Sequence, residues 1–353
     1  MQTVVKKFAK FKTDISNQFE EFQKGLESQN RAQEQCTKYP ETKATSTSLS
    51  DKYKVKDFDK STAYGATASL NGDALLAANK QYNRLWTKHY KMPMKLIQSK
   101  LQHCSEKIKT TILPTSKNAA EDYCQVVMTV ALQATFNYAK SKMIDILMFP
   151  ITEDIKSVQN SASTAATSLI QKIIAEGSMM HSSEPEMTKQ LKFARKQIRF
   201  IFDEKDEDCA QDSHKLELFR MFQEYKYTIL YSLPDGQVQM IKEDMQEVFL
   251  ATILDHVKEV DEKCCIDVNE VNIVEVSKAT SEAIWCLLRQ ENPILLESLS
   301  PRKCRIDDHK YNSKRHSSST TSKHLHQVCA YARPVVINSD GMHIIEPAIV
   351  FLK

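Results

Sequence analysis

At 353 residues with a net charge of +3, the chain is long enough to bury a substantial core and too near neutral to imply a nucleic-acid partner. Its six glycines exclude a fold built on tight β-turns and a Gly-rich phosphate loop, because both need glycine at positive-φ positions. A largely α-helical protein is expected.

The first 27 residues carry the clearest helical period. Val4, Phe8, Phe11, Ile15, Phe19, Phe22 and Leu26 step by 4, 3, 4, 4, 3 and 4, one narrow apolar stripe on an amphipathic helix over 1–27. Such a stripe serves as a seam against another helix, or lies on a membrane surface. Lys6, Lys7, Lys10 and Lys12 favour the membrane, and Glu20 and Glu21 oppose it. Phe8, Phe11, Ile15, Phe19 and Phe22 are the candidate contact residues. Residues 28–72 are polar and rich in Ser, Thr and Lys, which predicts a flexible linker that cannot bury enough to offset its ordering entropy.

A helical region is expected over 73–177. Leu75, Leu76, Tyr82, Leu85, Trp86 and Tyr90 mark one helix, followed after a kink or break at Pro93 by Met94, Ile97 and Leu101. Residues 118–149 form the longest helical candidate, with Tyr123, Val126, Val127, Val130, Ala134 and Tyr138 on one side and Pro150 closing it. A further helix runs from Thr152 through Ile155, Val158, Leu169, Ile173 and Ile174, with Gly177 as its C-cap.

The remaining domain spans 185–353. Pro185 suits the first turn of a helix carrying Met187, Leu191, Ala194 and Ile198. The acidic block at 203–208 separates it from a helix over 216–233 with Leu218, Phe219, Phe222, Tyr225 and Ile229 inside. Pro234-Asp235-Gly236 reads as a turn. Two more amphipathic helices follow over 238–260 and 268–290. Beyond Pro293, Val328, Tyr331 and Val335 to Ile337 form one strand, Ser339-Asp340-Gly341 a turn, and 342–345 and 348–352 extended runs bent at Pro347. The fold class is therefore all-α or nearly so: an irregular helical bundle with a small C-terminal β-hairpin.

The chain carries no phosphate-loop, dinucleotide or nucleophile-elbow motif and no His-Glu-x-x-His. No cofactor and no metal are expected. Cys304, His309, His316, His324, His326 and Cys329 fall close together, but their spacing matches no zinc pattern. Nine scattered cysteines, without Cys-x-x-Cys or a glycosylation acceptor, predict free thiols in the cytoplasm. The start is charged by Lys6 and has no apolar leader. No apolar run reaches the ~18 residues of a spanning helix. Trp285 is expected as a core anchor, and Cys264 or Cys265 as a small buried residue.

Residues 302–323 are basic. Arg302, Lys303, Arg305, Lys310, Lys314, Arg315 and Lys323 stand against Asp307 and Asp308. This is either a solvated loop or a site for an anionic surface. Its single aromatic, Tyr311, is too little for base stacking, so lipid phosphate or an acidic protein fits better than nucleic acid.

The C-terminal segment resembles the C-terminal domain of the mitochondria-eating protein family. The resemblance rests on the helix bearing Trp285-Cys286 and ending before Asn292-Pro293, then Ile306-Asp307, Tyr311, His316 and Ser317 to Ser319. It continues through Val328, Tyr331 and Pro334 to the apolar strand after Ile345. It is best over 284–350 and reaches back to about 187. It implies a mostly helical domain that binds anionic lipid, cardiolipin especially, in mitochondrial quality control, with no catalytic residues. The expected function is a non-enzymatic scaffold binding anionic phospholipid or a protein partner, in the cytoplasm and peripheral to the mitochondrial surface. The alternative is a structural interaction protein that assembles, as a homo-oligomer, through its N-terminal helix without lipid.

Overall fold

The computed structural model describes residues 77–158, 167–202, 213–264, 266–267, 271–290, 293–297, 316–318, 328–338 and 344–352. The chain divides into units at 1–63 and 64–353, and all described residues belong to the second. The stripe of Phe8, Phe11, Ile15, Phe19 and Phe22 and the linker therefore lie outside the described residues, as do Arg302, Lys303, Arg305, Lys310, Lys314, Arg315 and Lys323.

The described chain is mostly helical, with a small C-terminal strand region. A helical stretch over 77–84 runs into a π-helical turn, Leu85–His89. The helices that follow are α1 (Lys91–Leu101), α2 (Ser105–Thr111), α3 (Ala119–Val158), α4 (Thr167–Ser178), α5 (Glu186–Ile201), α6 (Ser213–Ser232), α7 (Asp235–Val260) and α8 (Val271–Arg289). A 3-10 turn, Gln102–Cys104, joins α1 to α2.

Helix α3 is the axis of the fold. It packs against α1, α2, α5, α7, α8 and the strand region. Of its expected apolar side, Tyr123, Val126 and Val127 are buried and Val130, Ala134 and Tyr138 half-buried; Cys124, Met128, Ala131, Thr135, Phe136 and Ala139 are buried as well, while Glu121, Asn137, Ser141 and Asp145 are exposed. A helix apolar over most of its circumference belongs in the middle of a protein. One continuous core runs from Ala78 to Leu352.

Several expected boundaries move. Pro150 does not close α3; it lies inside the helix. Proline removes the backbone donor that would meet Ile146 O, while two neighbouring carbonyls gain side-chain donors. The Tyr225 hydroxyl donates to Leu147 O at 2.8 Å, and Thr152 Oγ1 to Met148 O at 2.8 Å. Fully buried Ile151 and Ile155 hold the turns beyond it in the core. The helix expected from Thr152 is thus the end of α3, with α4 a separate element. The break expected at Pro93 comes earlier, as the π-turn. Pro93 itself sits in the first turn of α1, where its missing N–H has no helical partner to lose.

Gly177 is not a cap. It lies within α4, and a Cβ built there would stand 2.6 Å from Gln190 Cα in α5. Pro185 is the N-cap of α5 rather than its first residue. Pro234-Asp235-Gly236 is no turn: Pro234 caps α7, and the helix begins at Asp235. Fully buried Lys226 in α6 donates to the Gln290 carbonyl and faces the Phe202 ring at 5.8 Å, so this charge is partnered, as burial requires.

The strand region comprises β1 (Ile294–Glu297), β2 (His316–Ser318), β3 (Val328–Arg333), β4 (Val335–Asn338), β5 (Ile344–Glu346) and β6 (Ala348–Leu352). They form two three-stranded sheets, β1-β4-β5 and β2-β6-β3. The single strand expected over 328–337 is split at Pro334, which cannot donate to a ladder. Tyr331 on one side pairs with Val350, and Val336 on the other pairs with Leu296.

Candidate anionic-surface interface

Residues 77–111 hold eight Lys or Arg (80, 84, 88, 91, 95, 100, 107 and 109) against one acid, Glu106. Lys80, Arg84, Lys88, Lys91 and Lys95 follow at intervals of 4, 4, 3 and 4, and all five are exposed. Ala78, Tyr82, Leu85, Trp86, Tyr90, Ile97 and Leu101 on the opposite face are buried. Within the segment lies the π-turn, where Tyr90 N–H reaches Leu85 O at 2.8 Å and adjacent Leu85 and Trp86 are both buried.

The buried face fixes this segment on the body. The Tyr90 and Thr280 hydroxyls are hydrogen-bonded at 3.1 Å. Tyr90 meets Trp86 edge-on at 4.9 Å and stacks with Phe249 at 6.2 Å. Arg333 of β3 lies over the Trp86 ring at 5.1 Å, and Asn83 donates to the Glu346 carboxylate at 2.7 Å. The cations are thus displayed from a rigid mount.

Among the described residues, no ion pair engages Lys80, Arg84, Lys88, Lys91 or Lys95. Met92, 54% exposed, stands between them on the face shared by Lys88, Lys91 and Lys95. Beside the stripe is an open cavity of about 600 Å³ lined by Lys80, Arg84, His89, Glu275, Lys278 and Glu282. Glu282 is taken by Lys242 at 2.7 Å. Partial burial holds the His89 imidazole below its ordinary value, and Lys88 repels its proton further. The arrangement can attract phosphate or carboxylate groups. It presents no nucleophile paired with a base.

The expected Cys/His group is only partly described. His316 is buried in β2, its Nε2 3.0 Å from the Tyr331 hydroxyl, and Cys329 Sγ stands 3.3 Å from Phe351 O. Cys304, His309, His324 and His326 lie outside the described residues. Trp285 and Cys264 are buried, as expected. The apolar positions of 73–112 do not reveal the basic stripe. The signal was present as the cation spacing on the opposite face.

Comparison of the chain with protein-family models, curated proteins and solved structures found no match. No described helix is long and apolar enough to cross a membrane.

Proposed function

We propose that this protein is a non-enzymatic scaffold that docks peripherally on anionic phospholipid, cardiolipin included, in mitochondrial quality control. The observation that carries the reading is the row of five exposed cations, free of ion pairs among the described residues, on one rigid face with Met92 among them. Each Lys or Arg at an anionic surface contributes about 1 kcal/mol, so five contribute about 5 kcal/mol at low salt. Met92 adds a small apolar insertion. Single-stranded nucleic acid is disfavoured, because the aromatics of this segment, Tyr82, Trp86 and Tyr90, are buried and cannot stack on bases. The basic segment at 302–323 and the resemblance over 284–350 support the same reading.

The test is co-sedimentation with cardiolipin-containing and with neutral vesicles at two salt concentrations. Selective binding that weakens with salt is expected. Absence of binding to either overturns the proposal and leaves a structural interaction protein assembling through its N-terminal helix as the better account.

A further inference from the structure

A second cluster lies where α2 meets the end of α7, and it owes nothing to the basic stripe. The 3-10 turn Gln102–Cys104 presents His103 and Cys104 side by side. Asp261 is the first residue past α7. One donor atom from each of the three lies within 4.8 Å of the other two, and His103 Nε2 stands 3.1 Å from Asp261 Oδ2. Four ligands at zinc distances of ~2.0–2.3 Å stand about 3.3–3.8 Å apart at the tetrahedral angle. The His–Asp separation is already near that value, and a small movement of the thiol completes the triangle.

The surroundings orient the carboxylate. Asp261 Oδ1 accepts the Lys263 backbone N–H at 3.0 Å, its own N–H donates to Val257 O at 3.0 Å, and its carbonyl accepts the Cys264 N–H at 3.0 Å. Both the backbone and the outer carboxylate oxygen are held, which leaves Oδ2 toward His103. Such outer partners are what fix a metal-binding carboxylate. The site also sits at the negative end of the α7 dipole, which favours a cation. The last carbonyls, of Glu259 and Val260, already draw the Lys107 ammonium, at 3.4 and 2.7 Å.

We propose that His103, Cys104 and Asp261 form a three-ligand site for a zinc-class divalent ion, with its fourth position open to water or to a ligand from a partner. One nitrogen, one sulfur and one oxygen exclude Mg²⁺ and Ca²⁺, which require oxygen sets, and fit a borderline ion such as Zn²⁺ or its probe Co²⁺. The metal displaces the proton that His103 Nε2 donates to Asp261 Oδ2, and the imidazole binds as its Nδ1–H tautomer beside the carboxylate. The thiol binds as thiolate, and its proton passes to the solvent.

The test is titration of the untagged, metal-stripped full chain with Co²⁺, read by absorption. A thiolate-to-cobalt band in the near ultraviolet and strong visible bands, saturating at one equivalent and abolished by excess Zn²⁺, are expected. Cys104→Ser removes the near-ultraviolet band. His103→Ala and Asp261→Asn weaken binding about tenfold or more, while Cys286→Ser leaves it unchanged. Far-ultraviolet circular dichroism and metal-free melting curves confirm that each variant is folded. Absence of the bands, or bands that persist in Cys104→Ser or are unmoved by Asp261→Asn, overturns the proposal and leaves His103 and Asp261 as a hydrogen-bonded pair.

Discussion

Replacing Gly177 with alanine separates two accounts of one residue. At a left-handed cap the added methyl would strain the backbone. In an open helical position it would stabilise by about 0.5–1 kcal/mol, through the better propensity of alanine. The structure places Gly177 inside α4 and against α5, where a Cβ would meet Gln190 Cα at 2.6 Å and Gln190 N and Cγ at 3.1 Å. Carbon atoms prefer about 3.5–4.0 Å, so the helices must part by roughly 1 Å. The nearest atom belongs to the backbone and cannot rotate away. Overpacking of this kind costs about 1–3 kcal/mol. The parting also stretches the Gln190 Nε2 to Ser178 Oγ hydrogen bond, 3.3 Å long, at up to about 1 kcal/mol more. Set against the propensity gain, the central expectation is a loss of about 2 kcal/mol and a fall in melting temperature of about 4–8 °C. Urea unfolding followed by circular dichroism should show a lower midpoint with the slope unchanged. A variant as stable as the parent, or more so, would refute the close approach of α4 to α5.

Thr129→Val removes the hydroxyl that donates to Ala332 O at 2.7 Å in the buried seam between α3 and β3. A loss of about 1–2 kcal/mol in urea unfolding is expected, and an unchanged midpoint would count against that seam. Burial pushes the Cys124 thiol from its ordinary 9.0 up to about 12. The folded state therefore favours the neutral thiol; its contribution is complete below pH 9 and is lost as pH rises toward 12, with about 1 kcal/mol gone by pH 10. Burial raises the Tyr82 and Tyr90 phenols as well, which extends the loss to higher pH. Melting temperature should fall between pH 8.5 and 10.5, and Cys124→Ala should flatten the part between 9 and 10; an identical profile would refute the assignment. The double variant Lys88→Glu and Lys91→Glu changes the stripe by four charge units, worth about 4 kcal/mol at an anionic surface, or roughly a thousandfold in vesicle partition. Lys196→Glu on exposed α5 is the control. Equal partition of the double variant and the parent would dismiss the stripe as the docking face.

The sequence by itself determined the helical character of this protein and most of its helix faces. The scarcity of glycine removed β-rich alternatives. The recurrence of Leu218, Phe222 and Tyr225 in α6 and of Met187, Ala194 and Ile198 in α5 marked which side packs. The cation spacing from Lys80 to Lys95 was legible in the same way, because a helical face is set by residues within a few turns of one another. Tertiary structure alone decided the rest. Proline at 150 forbids nothing when the turns beyond it are buried and a tyrosine from another helix ties down the preceding turn at Leu147 O. Glycine at 177 is required by a neighbour 13 positions away, not by its own φ. Three apolar residues after Pro293, Ile294 to Leu296, cannot declare whether they end a helix or form β1 until the strand Val335 to Asn338 pairs with them. Asp261 meets His103 across a separation of 158 positions. Local periodicity is written along the chain, whereas these pairings depend on which surfaces the packed helices bring within reach.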